Sequence, residues 1–178
     1  MDLLYSNDIR GQYPPSWYAA TATPMQAFPS LRADVDADVC VIGAGYTGLS
    51  AALHLAQAGR QVVLIDAHRV GFGASGRNGG QLGSGQRVEQ DALERMVGAD
   101  GARALWELGE DAKALVKGLI AKHDIDCQLK PGVAWTGSTR AEVSHLHHYA
   151  AFLRDRYGYD QIETLDHEAL QGVCRSPD

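Results

Sequence analysis

Val39-Cys40-Val41-Ile42-Gly43-Ala44-Gly45-Tyr46-Thr47-Gly48, with Asp66 downstream, is the stretch whose reading decides the fold. An apolar run ends in Gly-x-Gly-x-x-Gly, an apolar-periodic segment follows, and a second apolar run, Val62-Val63-Leu64-Ile65, ends in an acid. This is the layout of a β-strand, a phosphate-cradling turn, a helix and a second parallel strand. Gly43 permits the tight turn off the strand, Gly45 lets backbone approach a pyrophosphate, and Gly48 lets the helix pack close to the strand. Ala44 and Thr47 complete the turn. The helix N-terminus presents N–H groups and the positive end of its dipole to phosphate. Asp66 stands where a carboxylate accepts hydrogen bonds from a ribose diol. An ordinary βαβ unit also has a glycine turn. What separates this one is the combination of strand before, helix after and acid at the second strand end.

Working outward, the composition sets the class. The chain has 178 residues, 45% of them apolar, which is enough for a real core and one or two domains. The net charge of −6, without blocks of like charge, argues against nucleic acid or an anionic membrane as partner. No apolar run approaches the roughly 18 residues that span a bilayer. Met1 to Asp8 lacks the basic and apolar regions of a secretory signal. Cys40, Cys127 and Cys174 are widely spaced and odd in number, which reads as reduced thiols of a cytoplasmic protein rather than a disulfide frame or a zinc site.

Residues 1–36 read as an irregular arm, because Pro14, Pro15, Pro24 and Pro29 forbid a continuous helix. Trp17 and Tyr18 are expected to dock this arm on the body of the protein. The first strand, Asp38 to Ile42, is almost wholly apolar, as for a parallel strand covered on both faces, and Cys40 is expected to be buried within it. A helix over about 46–58 carries Leu49, Ala52, Leu53 and Ala56 on one face, and Gly59 ends it.

Beyond Asp66 a second glycine-rich stretch runs from Gly71 to Gly85. So much glycine excludes a stable helix or strand interior. Arg77, Asn78 and Gln81 are interleaved with the glycines, so the loop can lay backbone N–H groups and a guanidinium against an extended polar ligand. A flexible surface loop is the competing reading of these residues alone.

The fingerprint, Asp66 and above all Gly73-Ala74-Ser75-Gly76-Arg77-Asn78-Gly79-Gly80-Gln81 resemble the FAD-dependent oxidoreductases of the D-amino-acid-oxidase-like family. Within it the arm from Tyr5 to Trp17-Tyr18 and the Arg-Asn-Gly-Gly-Gln loop look most like the γ-glutamylputrescine oxidoreductase branch. The resemblance implies an α/β fold: a Rossmann-like FAD domain, here residues 37–125, and the beginning of an α+β substrate domain over 126–178. It implies that Gly43, Gly45 and Gly48 hold the FAD pyrophosphate and Asp66 the adenosine ribose. Ser75, Arg77 and Asn78 would reach phosphate and ribityl oxygens, while Gly79, Gly80 and Gln81 would pass near the isoalloxazine. Some relatives attach the flavin through a histidine of this loop. No histidine occurs from Gly71 to Gly85, so non-covalent FAD is expected. The implied reaction is oxidation of the C–N bond of an amine or amino acid by hydride transfer to flavin, with oxygen or another electron acceptor. No residue presents itself as the catalytic base.

Downstream, a short helical piece over 91–96 and a long amphipathic helix over 99–123 are expected, with Ala102, Leu105, Ala112, Leu115, Val116, Leu119 and Ile120 on its packing face and Lys113 and Lys117 outside it. Residues 127–137 read as strand-like, interrupted at a turn or edge by Lys130-Pro131-Gly132, and residues 161–165 as a further short strand. Thr139-Arg140-Ala141-Glu142 has capping-box spacing for a helix bearing Val143, Leu146, Ala150 and Leu153, and Asp166 is placed to cap a last short helix. His145, His147 and His148 lack the further ligands of a metal set and read as a solvated helix face. By the resemblance, the stop at Asp178 is that of an N-terminal fragment, expected to lack most of the substrate pocket and to be inactive alone. Two other readings share the opening fingerprint. An NAD-dependent dehydrogenase would have no use for the second loop, and a non-catalytic nucleotide-binding module would need no substrate pocket. D-amino acids, glycine and sarcosine stand beside γ-glutamylputrescine as substrates.

Overall fold

The computed structural model describes residues 6–174. Tyr5, the first residue of the arm's resemblance, and the terminal Arg175 to Asp178 lie outside them. The chain divides into two compact units, one running to Gln81 and the other starting at Leu82.

The first unit holds helix α1 (Trp17–Thr21), strand β1 (Val39–Ile42), helix α2 (Tyr46–Gln57), strand β2 (Val62–Ile65) and a 3-10 turn at Ala74–Gly76. β1 and β2 pair in parallel, Val39 opposite Val62 and Ile42 opposite Ile65. Two parallel strands joined by a helix make the βαβ unit expected from the apolar runs. α2 ends where Gly59, at φ 80°, takes the left-handed conformation. The N–H of Arg60 then donates to Leu55 O (3.1 Å) and that of Gly59 to Ala56 O (3.0 Å), the paired bonds of a Schellman cap.

Two expectations fail here. β1 is not covered on both faces: burial alternates along it, and Cys40 and Ile42 are exposed, Ile42 at 82%. The sheet has two strands and α2 packs on one face of it, so the period of two turns alternate side chains to the open face. Arm residues Leu31 to Ala37 skirt that face, lining a groove of about 270 Å³ with Cys40, Val63 and Ile65. Nor do Trp17 and Tyr18 dock the arm. Both are exposed, at 77% and 45%, on the one-turn α1 that Ser16 caps through Ala19 N–H. No residue of this short helix is buried, so it presents no packed face that would seat the two rings.

The second unit holds α3 (Gln90–Lys122), α4 (Arg140–Tyr157) and α5 (His167–Val173). Gly98, at φ 80° and ψ 163°, breaks α3 into the short and long pieces that the sequence pattern separates. Trp106, Leu153 and Tyr157 form the core, with Tyr149, Phe152, Tyr159 and Ile162 packed around it. Of the expected α3 face, Ala102 is buried, but Ala112, Leu115 and Val116 are exposed. Lys113, expected among polar positions outside the packing face, is largely covered: its side chain is 12% exposed, on Glu110 (2.7 Å) and Ser84 Oγ (2.6 Å).

Neither strand expected in this unit forms. Asp124 and Gln128 have φ of 48° and 50° and Gly132 of 88°, which turns the backbone out of the extended region, and residues 121–136 are exposed throughout. An extended segment with no neighbour has no ladder to satisfy its N–H and C=O groups. The helix caps match the expectation. Thr139 Oγ1 accepts from Glu142 N–H (3.2 Å) while Glu142 Oε2 accepts from Thr139 N–H (3.1 Å), and Asp166 Oδ1 accepts from Ala169 N–H (2.9 Å).

Candidate functional site

The candidate site grows from the turn between β1 and α2. Gly43 sits at φ 103°, a region that side-chain-bearing residues avoid. A Cβ on Gly48 would overlap the carbonyl oxygen of Gly43, so the first turn of α2 sits directly on the end of β1. Ala44, between them, is 1% exposed. Its N–H donates to Asp66 Oδ2 (2.7 Å), and its carbonyl accepts from Gly71 N–H (2.8 Å). Asp66 Oδ1 accepts from His68 N–H (2.7 Å). The carboxylate is thus oriented by one backbone donor on each oxygen, and each oxygen keeps a second lone pair.

Gly45 is the N-cap of α2 and has no side chain to close it. The helix therefore starts with first-turn N–H groups that have no intrahelical partner, Tyr46, Thr47 and Gly48 among them. Ser75 comes to this point from the second loop. Its Oγ accepts from Tyr46 N–H (3.0 Å) and lies 2.9 Å from where a Cβ on Gly45 would be. Asn78 reaches the same residue: its Nδ2 donates to Tyr46 OH (3.3 Å), Ala74 O (3.1 Å) and Ser75 O (3.0 Å), and its Oδ1 accepts from Gly80 N–H (2.9 Å). Two stretches that the sequence separates by about thirty positions are therefore one structure, joined at Tyr46.

The remaining residues are placed differently. Arg77 does not extend into open space: it pairs with Asp8 (3.2 Å), donates from Nε to Phe72 O (2.9 Å) and lies 4.4 Å over the Phe72 ring. Gly79, Gly80 and Gln81 follow as an exposed run, with the Gln81 side chain folded back near Gly79. Tyr46 and Asp8 are the contributors that sequence reasoning missed. Tyr46 lies inside the fingerprint, but at a variable position of the pattern. Nothing in local spacing pairs Asp8 with Arg77.

The residues present fit a dinucleotide. A helix start that only Ser75 caps, leaving the Thr47 and Gly48 N–H groups outside the intrahelical ladder, a glycine turn held open at Gly43 and an oriented acid at the second strand end form a donor and acceptor set suited to a pyrophosphate and a ribose. The comparison with known families decides which fold it is: the model described as FAD dependent oxidoreductase (DAO) matches residues 38–177. The chain belongs to this family. Its Rossmann-like βαβ unit is accordingly the start of a FAD-dependent oxidoreductase domain.

Among similar proteins, a "Probable oxidoreductase OrdL" of Rhizobium meliloti is 42% identical over 153 residues, covering 86% of this chain and 36% of its own length. The "Gamma-glutamylputrescine oxidoreductase" of Escherichia coli is 40% identical over 156 residues, covering 88% and 36%. A "Probable oxidoreductase OrdL" of Haemophilus influenzae is 36% identical over 171 residues, covering 96% and 38%. The chain thus spans little more than a third of the length of these relatives. No solved structure matches it. Among the described residues, no helix is long and apolar enough to cross a membrane.

In the second unit, His145 Nε2 meets Glu89 Oε1 at 2.8 Å, and this hydrogen bond holds the imidazole above its ordinary value. His148 Nδ1 lies 2.7 Å from Ser144 O. His145 and His148 thus have separate partners.

Proposed function

We propose that this chain carries the FAD cradle of an amine or amino-acid oxidoreductase, with γ-glutamylputrescine the foremost substrate and a D-amino acid, glycine or sarcosine the alternatives. What supports the reading is the join at Tyr46, where the glycine turn and the Ser75–Asn78 loop meet. A nicotinamide dehydrogenase has no use for that loop. The similarity to a relative named for γ-glutamylputrescine favours the amine.

In this reading Gly45, Thr47 and Gly48 present N–H groups and the α2 N-terminus to the pyrophosphate, while Gly43 and Ala44 shape the turn with their own N–H groups held by Ile65 O and Asp66. Asp66, oriented through Ala44 and His68, accepts from the adenosine ribose. Ser75 and Asn78 serve phosphate and ribityl oxygens with Arg77 beside them, and Gly79, Gly80 and Gln81 run past the ring. The cofactor is held without a covalent bond, since residues 71–85 contain no histidine. FAD, held by these residues, would supply a two-electron sink for a hydride from the amine-bearing carbon, with oxygen or another acceptor taking the electrons onward. The 37–125 segment then serves the flavin and residues 126–178 the substrate side. The wide spacing and odd number of Cys40, Cys127 and Cys174 support a cytoplasmic setting.

Titrating the chain with FAD and following flavin fluorescence tests the cradle. Gly45→Val, which puts branches against Ser75 Oγ, and Asp66→Ala are each expected to weaken binding by about tenfold or more. Undiminished flavin binding in both variants would sink the proposal, and a preference for NADH over FAD would favour the dehydrogenase. The substrate is read from peroxide release over a panel of amines and amino acids, using the protein as its source makes it.

A further inference from the structure

The arm meets the second loop through a small set of contacts. Across residues 6–38 the chain is exposed except at Asp8, Tyr13, Pro14 and Ser16. Two of these four reach residues 69–77. Tyr13 donates its hydroxyl to Val70 O (2.7 Å) and lies under the Arg69 guanidinium, 4.4 Å from the ring centroid. Asp8 pairs with Arg77, and its side chain is only 19% exposed.

Arg77 is therefore held from several sides: the Asp8 carboxylate, the Phe72 carbonyl and the Phe72 ring. Its neighbours in the loop are the two residues that touch the first turn of α2. Ser75 takes the Tyr46 N–H, and Asn78 donates to the Tyr46 hydroxyl. Whatever fixes Arg77 limits the freedom of both. Tyr13 tethers the arm independently, so Asp8 is presented to Arg77 without ordering the whole arm for that one contact.

We propose that Asp8 is a positioning residue for the cofactor site: it holds Arg77 against Phe72 and so keeps Ser75 and Asn78 in register with the glycine turn. This rests on the FAD reading above. A lone ion pair whose Arg77 side chain stays 36% exposed contributes little to global stability. Its effect lies in pre-organisation, because a loop already in its bound shape loses less freedom when a dinucleotide arrives. The opposing arrangement makes Arg77 a direct phosphate ligand for which Asp8 competes, and it predicts the opposite sign for loss of Asp8.

The experiment compares Asp8→Asn, Arg77→Gln, their combination and the charge-swapped pair Asp8→Arg/Arg77→Asp, with Tyr13→Phe as a second way to loosen the arm. Two readouts are used: FAD affinity by fluorescence, and amide hydrogen exchange of peptides covering residues 8–25 and 71–81 without cofactor. Asp8→Asn is expected to weaken FAD about fivefold and to speed exchange in both peptides by a similar factor. Arg77→Gln, which also gives up the Phe72 contacts, should lose at least as much, the double variant no more than Arg77→Gln alone, Tyr13→Phe should act in the same direction, and the swapped pair should recover the part of both losses that belongs to the ion pair. Tighter FAD binding in Asp8→Asn would overturn the proposal, as would a swapped pair that recovers exchange protection but not FAD. Should the unsubstituted chain take up no FAD, the cofactor reading fails by itself. Exchange then decides the contact: unchanged protection of residues 71–81 in Asp8→Asn overturns it, and coupled loss with recovery in the swap supports it.

Discussion

Gly48 shows how much one missing side chain decides. Within a helix an alanine is intrinsically favoured over glycine by about 1 kcal/mol. Here an added methyl would strike the Gly43 carbonyl oxygen, which is backbone and yields only if the turn opens. Gly48→Ala is therefore expected to destabilise the chain by about 1–3 kcal/mol, against propensity, and to lower FAD affinity with it. Denaturant melts and flavin titration check this, and a stabilised variant would show that α2 stands off the strand. The role of Gly48 was legible from the fingerprint because it is a matter of local spacing. The partner of Arg77 was not: Asp8 lies 69 positions away in sequence, and no periodicity links the two.

At the scale of elements, helices declared themselves better than strands. The capping box at Thr139 and Glu142, the Asp166 cap and the Gly59 stop all occur as expected, since each is a contact within one turn of chain. Thr139→Ala is predicted to cost about 1 kcal/mol, seen as a lower midpoint in chemical denaturation with an unchanged slope. Thr139→Ser should lose much less, because it keeps the accepting oxygen. The expected strands at 127–137 and 161–165 did not form because a strand is completed by a neighbour that its own sequence does not contain. β1 and β2 formed because each supplies the other. The same dependence explains the open face at Cys40 and Ile42, where an apolar pattern is present and its cover is not.

At the scale of the whole molecule, the two units depend on different interactions. The second is organised by aromatic side chains, with Trp106 set 5.3 Å from both Tyr157 and Tyr159, and by polar ties around that core. Two of those ties give stability a pH dependence of opposite sign. Tyr157 OH and the Arg156 guanidinium donate to Glu94 and hold its carboxyl below the ordinary 4.5. That contribution is present above the unfolded value and is lost as pH falls through the lowered one. His145, raised above 6.5 by Glu89, does the reverse: its contribution is complete below the unfolded value and fades as pH rises through the raised one. Denaturant melts between about pH 3 and pH 8 should therefore show Glu94→Gln flattening the acid side and His145→Gln the neutral side. Identical pH profiles in all three proteins would contradict the assignment.

The sequence alone determined the βαβ unit, the positions of the glycine turn and Asp66, the helix caps and the family resemblance, since these rest on spacing within a few turns of chain. Only the tertiary structure decided that Ser75 and Asn78 meet the first turn of α2 at Tyr46, that Asp8 takes Arg77, and that one face of the sheet stays open. Those outcomes depend on which distant side chain arrives at a given point, and that is settled by packing rather than by period.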